Sequence, residues 1–404
     1  MFFLIDRHIS LSYEEILQHI NSSDSYTDCY IYPDLRSFFL NWIIALVNKK
    51  PIALMDSDLS EKEITVNNLV INQLIKINHP VKISSLDELV SSVRDSDSEI
   101  TLFTSGTTGF TRKFTHPLKN LIRKINVSDE RKHDVWGFAF NPTHVAGVQV
   151  FFQAILNQNI LVNVFMESKE FVTTAIKDYQ ITNLSSTPTF YRLLLPVDHS
   201  FDSVKKITIG GEKSDNHLIS QVEKYFPNAR INNVYGSTET GPLFSSQNDE
   251  FTVQEKHTGL VKVVDDELYI HKDLFGKTSQ LHLIDDFYAT GDLVEWIGDE
   301  KRKFRFTSRK NELINVGGYK VNPYEVEDEL TQHPEIRNVR VFGKSNAVLG
   351  NVICCDIELL SGSELKEEDI RHFLNGKIQN FKIPRKISFV EKIELTRTGK
   401  KKIV

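Results

Sequence analysis

The most constraining feature of this chain is a run of glycines and small hydroxyl residues, Thr104-Ser105-Gly106-Thr107-Thr108-Gly109, which follows directly on the apolar pair Leu102-Phe103. The pattern predicts a strand that runs into a turn. Glycine lets the backbone approach a ligand closely, and free N–H groups beside hydroxyls suit a polyphosphate. A Ser/Thr/Gly turn without a ligand would have the same residues, so this run alone leaves both interpretations open.

The nearest competing motif is the Walker P-loop, which closes on Gly-Lys-Ser/Thr at the start of a helix. After Gly109 the chain continues Phe110-Thr111-Arg112-Lys113, which contains no such sequence. We therefore expect a nucleotide-binding loop of another kind.

Further segments follow this loop in a fixed order. They are Gly210-Gly211-Glu212, Tyr235-Gly236-Ser237-Thr238-Glu239, Thr290-Gly291-Asp292, Ser308-Arg309-Lys310-Asn311-Glu312, Gly317-Gly318-Tyr319-Lys320 and Thr396-Arg397-Thr398-Gly399-Lys400. Together with the first loop, this order resembles the adenylate-forming superfamily, which includes acyl- and aryl-CoA synthetases, the adenylation domains of peptide synthetases, and luciferases. The resemblance covers the chain from about the first loop to its last residues.

The resemblance implies an α/β fold with a large N-terminal domain of layered sheets and helices and a small, mobile α+β C-terminal lid domain. We expect residues 1–308 to bind ATP and the acid, residues 309–404 to form the lid with the catalytic lysine, and Asn311 to be the hinge. A length of 404 residues also exceeds what one hydrophobic core usually supports. Among the elements, the pattern predicts a strand over 160–165 and a helix over 216–225.

The chemistry implied by the resemblance is ATP-dependent adenylation, in which a carboxylate attacks the α-phosphorus and pyrophosphate leaves. Charge must then be neutralised on both sides of that phosphorus. Glu239 is the expected ligand of Mg²⁺, which prefers oxygen, and Thr238 is expected to hydrogen-bond the α-phosphate. Read without the resemblance, Glu239 is a solvated loop residue.

The nucleoside half of ATP is assigned in the same way. Tyr235 offers a ring face to adenine, and Gly210 and Gly211 let the backbone close over the other face of the base. Asp292 can accept both ribose hydroxyls, although Asp after Gly is also a common turn residue. Arg309 is expected to contact ribose or phosphate. The other expected nucleotide-binding residues are Thr104, Ser105, Gly106, Thr107, Thr108, Gly109, Glu212, Gly236, Ser237 and Gly318.

Lys400 is the expected catalytic lysine. A compact ammonium can bridge the carboxylate and the α-phosphate as charge develops between them. The alternative is that residues 400–402, three consecutive lysines, form a solvated basic tail. The position of Lys400 after Gly399 matches the lysine loop of the family.

The acid pocket is expected around Asn141-Pro142-Thr143-His144-Val145-Ala146-Gly147, where the family often places a histidine. His144 is expected to orient the substrate carboxylate. No Asp or Glu occurs between Asn141 and Gln158, so an α-ammonium would find no partner in this segment, and burying it unpaired is costly. We therefore expect an aryl or acyl carboxylic acid without an α-amine.

The thiol acceptor is expected beside Gly317-Gly318-Tyr319-Lys320, a segment that resembles the one lining the pantetheine tunnel. Free CoA and the arm of an acyl carrier protein both end in pantetheine, so both remain possible acceptors. A luciferase-like oxygenase shares the motifs. A non-catalytic nucleotide-binding protein is a further alternative, because Thr111, Arg112 and Asn311 depart from the residues that relatives usually carry.

Composition limits the partners. A net charge of −6 at pH 7 argues against a nucleic-acid surface. The three cysteines Cys29, Cys354 and Cys355 match neither a metal-ligand spacing nor a disulfide framework, and the adjacent pair is expected in a buried strand. The apolar run 38–47 is too short to span a bilayer, and residues 1–7 lack the features of a signal peptide. We therefore expect a cytoplasmic enzyme without a membrane span.

Overall fold

A computed structural model of the protein describes residues 1–7, 9–31, 33–56, 64–65, 69–105, 111–275, 282–300, 302–317, 319–346, 350–396 and 399–402. For residues 104, 105, 111 and 112 it describes the backbone.

Helices and strands alternate through most of this part of the chain. The α-helices are α1 (Tyr13–Ser22), α2 (Leu35–Val47), α3 (Leu86–Arg94), α4 (Leu118–Ile122), α5 (Val145–Leu156), α6 (Lys169–Asp178), α7 (Pro188–Leu194), α8 (Asn216–Tyr225), α9 (Pro323–Leu330) and α10 (Glu367–Leu374). Short 3₁₀ helices span Asp129–Arg131, Glu255–His257, Lys272–Leu274 and Asn380–Lys382. The strands are β1 (Phe2–Ile5), β2 (Ser10–Ser12), β3 (Ser25–Thr27), β4 (Cys29–Ile31), β5 (Ile52–Met55), β6 (Leu74–Lys76), β7 (Glu99–Ser105), β8 (Thr111–Pro117), β9 (Val135–Phe138), β10 (Ile160–Asn163), β11 (Asn183–Ser186), β12 (Lys206–Gly210), β13 (Arg230–Ser237), β14 (Gly241–Ser246), β15 (Glu250–Thr252), β16 (Val261–Val264), β17 (Glu267–His271), β18 (Phe287–Ile297), β19 (Lys303–Arg309), β20 (Ile314–Val316), β21 (Tyr319–Val321), β22 (Ile336–Asn346), β23 (Gly350–Leu359) and β24 (Lys386–Val390).

The largest sheet has the strand order β14-β13-β12-β11-β9-β10-β1-β2. The pairs from β13 to β1 are parallel, and the two edge strands β14 and β2 are antiparallel to their neighbours. Parallel strands that are neighbours point their carboxyl ends to one edge of the sheet, which is where ligands bind in open α/β folds. The ends of β9, β11, β12 and β13 therefore bring together segments that are far apart in the sequence.

Three smaller sheets are formed by other strands of the same part of the chain. The first joins β4, β5, β7 and β8, the second pairs β3 with β6, and the third has the order β15-β19-β18-β17-β16. Helix α5 lies between β9 and β10 in the chain and is almost wholly buried. The α2 ring of Trp42 stacks on Phe151 of α5, with centroids 3.9 Å apart.

Residues 314–402, which we call the C-terminal unit, have a hydrophobic core of their own. Strands β20 to β24 form one sheet, with the order β21-β20-β23-β22 and β24 paired to β23. Helices α9 and α10 pack against it through residues such as Val326, Leu330, Ile370 and Leu374. The chain therefore has two-domain α/β architecture, as expected.

The helix predicted from the sequence is confirmed, and the predicted strand is shorter than expected. The helix spans Asn216–Tyr225 as predicted, and its first turn is capped by Asp215, whose carboxylate accepts a hydrogen bond from the Leu218 N–H at 2.7 Å. The strand predicted over 160–165 ends at Asn163. Cys354 and Cys355 are buried in β23. No helix among the described residues is long and apolar enough to cross a membrane.

Candidate active site

The best-connected part of the site is a cluster of Tyr235, Asp292 and Arg309. The Tyr235 hydroxyl donates to Asp292 Oδ2 at 2.7 Å, and Arg309 Nε lies 2.8 Å from Asp292 Oδ1. The neighbouring strands β18 and β19 place Asp292 and Arg309 side by side. The Tyr235 ring stacks on Phe306, with centroids 4.2 Å apart. Burial, followed by the charge of Asp292, raises the pKa of Tyr235 well above its usual range, so the hydroxyl stays a donor.

A second carboxylate, Glu267, fixes the backbone beside this cluster. Its Oε1 accepts a hydrogen bond from the Gly291 N–H at 2.9 Å, and its Oε2 lies 2.8 Å from Lys310 Nζ. Lys310 N–H also donates to the Gly291 carbonyl at 2.8 Å. Gly291 has φ of +76°, a conformation that favours glycine. These bonds connect Gly291, which precedes Asp292, to Lys310, which follows Arg309. The next residue, Asn311, is exposed.

Gly210, Gly211 and Glu212 form the end of β12 and the turn after it. A methyl group on Gly210 would lie 2.9 Å from the Val234 carbonyl oxygen, so the close strand contact requires glycine. Gly211 has φ of +84°. A methyl group there would lie 3.6 Å from Cε and 3.9 Å from Nζ of Lys400, so the lysine reaches over this glycine.

The end of the C-terminal unit is held at this edge of the large sheet by backbone and side-chain bonds. Thr187, which caps α7, donates its hydroxyl to the Gly399 carbonyl at 3.3 Å. Glu212 Oε1 accepts a hydrogen bond from the Lys401 N–H at 3.3 Å, while its Oε2 accepts one from Thr189 N–H at 3.0 Å. These contacts hold the segment on both sides of Lys400 in place.

The three consecutive lysines have different environments. Lys400 is half-buried, and its neighbouring charges are Glu212, Arg309, Asp292 and Glu312. Lys401 Nζ lies 2.6 Å from Glu327 Oε2 and donates to the Val339 carbonyl at 2.6 Å. Lys402 forms a solvent-exposed ion pair with Glu394 at 3.0 Å. A solvated tail therefore describes Lys402, and that alternative is wrong for Lys400.

Burial shifts the ionisation of Lys400 and of one of its neighbours. Burial lowers the pKa of Lys400, and the positive charge of Arg309 lowers it further, while Glu212, Asp292 and Glu312 oppose the shift. Burial also raises the pKa of Glu312, whose Oε2 accepts a hydrogen bond from the Tyr324 hydroxyl at 2.7 Å. An ammonium with a lowered pKa is weakly solvated, which increases its attraction to an anion.

The turn that carries Thr238 and Glu239 joins β13 to β14. It is tight, because a methyl group on Gly236 would lie 2.8 Å from the Gly241 carbonyl oxygen. The Ser237 and Thr240 hydroxyls are 3.3 Å apart across the turn. Thr238 is buried and Glu239 is half-buried.

The acid-pocket segment lies at the end of β9, at the same edge of the large sheet. His144 is the residue that precedes α5, and its N–H donates to the Asn141 carbonyl at 3.2 Å. A methyl group on Gly147 would lie 2.2 Å from that carbonyl oxygen, so only glycine fits there. The side chain of Asn141 is fixed in turn, because its Nδ2 donates to Asp56 Oδ2 at 2.6 Å.

Two residues of this region were missed by the sequence analysis. Asp56 comes 85 residues before Asn141, outside the segment between Asn141 and Gln158. The second residue is His116 in β8, whose Nε2 atom lies 2.7 Å from the Thr238 carbonyl oxygen. The polar–apolar alternation of β8 was the available signal, since an inward-facing histidine needs a polar partner.

The structure brings Gly210, Gly211, Glu212, Tyr235, Asp292, Arg309 and Lys400 into one cluster. Thr238 and Glu239 follow β13 and His144 follows β9, two parallel strands of the same sheet that are separated by β12 and β11. Residues 106–109 of the first loop and Gly318 lie outside the described residues, and so do the side chains of Thr104 and Ser105. The roles of all these residues remain predictions. Among the described residues, no group of three or more His, Cys, Asp or Glu side chains could hold a metal ion.

Comparisons with known proteins agree on one family. The profile of the AMP-binding enzymes matches residues 43–280, and that of the AMP-binding enzyme C-terminal domain matches residues 325–400. A mitochondrial medium-chain acyl-CoA ligase of Mus musculus is 32% identical over 258 residues, covering 56% of this chain and 42% of the mouse protein. The chain thus spans less than half the length of that relative.

A second relative is matched over much more of its length. The 2-succinylbenzoate–CoA ligase of Staphylococcus aureus is 24% identical over 398 residues, covering 91% of this chain and 80% of that protein. Among solved structures, the o-succinylbenzoate CoA synthetase of Bacillus subtilis in complex with its acyl-adenylate intermediate has a TM-score of 0.71 at 15% identity, covering 99% of this chain and 94% of that chain.

Proposed function

Because the chain belongs to the family of AMP-binding enzymes, we propose that it is an AMP-forming acid–thiol ligase. Its substrates are ATP and an aryl or acyl carboxylic acid without an α-amine, and its acceptor is the thiol of CoA. In the first step a carboxylate oxygen bonds to the α-phosphorus of ATP, and the bond from that phosphorus to the bridging oxygen breaks to release pyrophosphate. In the second step the thiol sulfur bonds to the acyl carbon, AMP leaves, and the thiol proton passes to solvent.

The observation that supports this proposal most strongly is the position of Lys400. The C-terminal unit carries its ammonium over Gly211 and next to the Tyr235–Asp292–Arg309 cluster. If this cluster holds the ribose and adenine of ATP, the ammonium lies where the α-phosphate meets the incoming carboxylate. A fixed positive charge there stabilises the charge that develops in the transition state more than it stabilises the ground state.

The nucleotide residues fit ATP with Mg²⁺ in the number and type of their charges. Glu239 is a half-buried carboxylate on a tight turn, and Mg²⁺ in phosphate-transfer sites usually takes one or two protein carboxylates with water and phosphate oxygens. Glu239 would hold the ion, which would neutralise phosphate charge when bound. Thr238 would donate to the α-phosphate, Asp292 would accept the ribose hydroxyls, and Arg309 would orient Asp292.

The relatives support the choice of acid and acceptor. One relative is named as a ligase of medium-chain acyl groups and the other of 2-succinylbenzoate, and both names specify CoA. Neither name describes an α-amino acid. His144 would orient the substrate carboxylate from the start of α5. CoA is therefore the proposed acceptor, with a carrier protein's pantetheine arm as the alternative outcome.

The test of this proposal is exchange of labelled pyrophosphate into ATP, screened over aryl, short-chain and medium-chain acids with Mg²⁺. Exchange that depends on the acid supports adenylation, and CoA or a phosphopantetheinylated carrier protein is then supplied to identify the acceptor. An acid and its α-amino analogue form a matched pair, and the des-amino acid is the expected substrate. Acid-independent cleavage of ATP to ADP, or ATP binding without exchange for every acid, would refute the proposal.

A further inference from the structure

Three side chains from one short segment bind backbone carbonyls of the turn between β13 and β14 and of β14 itself. His116 Nε2 lies 2.7 Å from the Thr238 oxygen, Arg123 donates to the Thr240 oxygen at 3.2 Å, and Lys124 donates to the Leu243 oxygen at 3.0 Å. We call His116, Arg123 and Lys124 the carbonyl clamp. Its three bonds bracket Glu239 and continue along the start of β14.

The clamp comes from a different sheet than the turn that it holds. His116 lies in β8, which pairs antiparallel with β7, the strand that leads into the first loop in the sequence. Arg123 and Lys124 follow α4 directly. The turn itself belongs to the large parallel sheet. The clamp therefore links β8 and the residues after α4 directly to the turn that carries Thr238 and Glu239.

The chemical state of His116 is fixed by its surroundings. Its side chain is buried, with the residue 2% exposed, and burial together with the charge of Arg123 lowers its pKa. The imidazole is therefore neutral near pH 7. Because a carbonyl can only accept a hydrogen bond, the nitrogen that faces Thr238 carries the proton. A neutral donor on a buried carbonyl fixes the position of that carbonyl without placing a further charge beside the turn.

The positions of the two cations in the clamp lower the stability of the fold. Burial, together with the positive charges of Arg123 and Lys256, lowers the pKa of Lys124 to about 8. Like charges brought together in this way destabilise the fold. Their hydrogen bonds to the carbonyls of Thr240, in the turn, and of Leu243, in β14, offset part of this loss of stability.

We propose that the carbonyl clamp positions the Thr238–Glu239 turn for the phosphates of ATP, so that His116, Arg123 and Lys124 are positioning residues of the nucleotide site. This inference rests on the proposed function. It couples β8 to the Thr238–Glu239 turn, because displacement of β8 would displace the carbonyl of Thr238. None of the three side chains is required to contact ATP.

The experiment measures ATP binding to the full chain by calorimetry, with Mg²⁺ in excess and no acid present. His116→Phe keeps a ring but removes the donor, and the loss of one net hydrogen bond predicts that the Kd for ATP rises about three- to tenfold. His116→Gln restores an N–H and should return the Kd to within about twofold of the wild type. In the exchange assay, the KM for the acid should stay unchanged in both variants.

A second pair of variants keeps the test independent of folding at a buried site. Lys124→Met removes a clamp residue that is solvent-accessible although its ammonium is partly desolvated, and Lys119→Met removes an exposed lysine of α4 with the same change of charge. The clamp predicts a rise in the ATP Kd of about twofold or more for Lys124→Met, with none for Lys119→Met.

The outcomes separate the two proposals. A wild-type protein that does not bind ATP would refute the proposed function itself. A wild type that binds ATP, with His116→Phe equally tight and only its melting temperature lowered, would show that the histidine is merely structural and overturn the clamp. If His116→Phe does not fold, equal ATP affinities of Lys124→Met and Lys119→Met overturn it.

Discussion

Replacement of Lys400 by methionine is the most direct test of the site, because it removes the ammonium but keeps most of the length and flexibility of the side chain. The structure places Nζ 3.9 Å from the position that a methyl group on Gly211 would occupy, with the charges of Glu212, Asp292, Arg309 and Glu312 around it. Methionine fits this space, so the substitution changes charge much more than packing. We expect the folded structure to be retained.

The expected loss of adenylation follows from the placement of the charge. Removing one preorganised donor from a developing oxyanion costs about 2.7–4 kcal/mol, which is a factor of about 10² to 10³ in kcat. Lys400 belongs to the upper half of this range because its pKa is lowered by burial, and a weakly solvated charge acts in a low effective dielectric. Pyrophosphate exchange should therefore fall by about 10³, with a smaller change in the KM for ATP.

The assay separates the two half-reactions and uses a matched control. Lys402→Met removes the same charge from an exposed ion pair, which is worth at most about 1 kcal/mol, and should leave exchange unchanged. Lys401→Met is unsuitable, because it leaves the buried carboxylate of Glu327 unpaired and would destabilise the fold by about 3–5 kcal/mol. Acyl transfer from supplied acyl-adenylate to CoA should survive in Lys400→Met if the lysine acts in adenylation alone.

The pH dependence of the adenylation rate tests the role of Lys400 independently. Adenylation requires the ammonium form, and the lowered pKa of Lys400 means that this form is lost at a lower pH than for a free lysine. The rate should therefore decline on the alkaline side before the ordinary lysine range is reached. Lys400→Arg, whose guanidinium stays charged, should retain reduced activity and lose this decline.

Two results would contradict the reasoning. Equal loss of both half-reactions in Lys400→Met would mean that the lysine supports the fold or both lid positions. Unchanged exchange in Lys400→Met would remove the lysine from the mechanism altogether, and would turn attention to Arg309, the cation within the cluster.

The remaining predictions concern the two ends of the site. His144→Ala should lower kcat/KM for the acid about ten- to a hundredfold, the value of a hydrogen bond to a charged group, and leave the ATP Kd unchanged in calorimetry. Asp292→Asn should raise the ATP Kd about tenfold, because an amide presents one acceptor oxygen in place of two, while the KM for the acid stays the same. Asp56→Ala should lower the free energy of unfolding by about 1–3 kcal/mol, since it removes the carboxylate that accepts from the buried Asn141 amide, whereas Asp56→Asn should restore most of the loss in denaturant titration.

The motifs predicted which residues meet, because parallel strands end at one edge of a sheet. Gly210 ends β12, Tyr235 lies near the end of β13, and His144 follows β9. These three motifs are recognised from local sequence, and the strand order of one sheet links them. Lys400 could be separated from Lys401 and Lys402 only by its family spacing, and the contacts of Lys401 with Glu327 and Val339 now give the physical reason.

The sequence could not predict the residues that support the site from a distance. His116 and Thr238 are 122 residues apart and lie in different sheets. Neither residue belongs to a periodic pattern that identifies the other, because long-range pairing depends on how sheets pack. The hydrogen bond between Tyr235 and Asp292 escaped prediction for the same reason, although both residues were assigned to the nucleotide site.

The segment 141–158 does not by itself show every carboxylate near the expected acid pocket. The absence of carboxylates between Asn141 and Gln158 holds in the sequence, but β5 delivers Asp56 to Asn141 from another sheet. Asp56 Oδ2 is committed to the Asn141 amide, and Asn141 Oδ1 accepts from both the N–H and the hydroxyl of Thr143. The carboxylate is therefore used to hold the turn before α5. An α-ammonium would have to compete with Asn141 for it, and the cost of breaking that buried bond favours the des-amino acid.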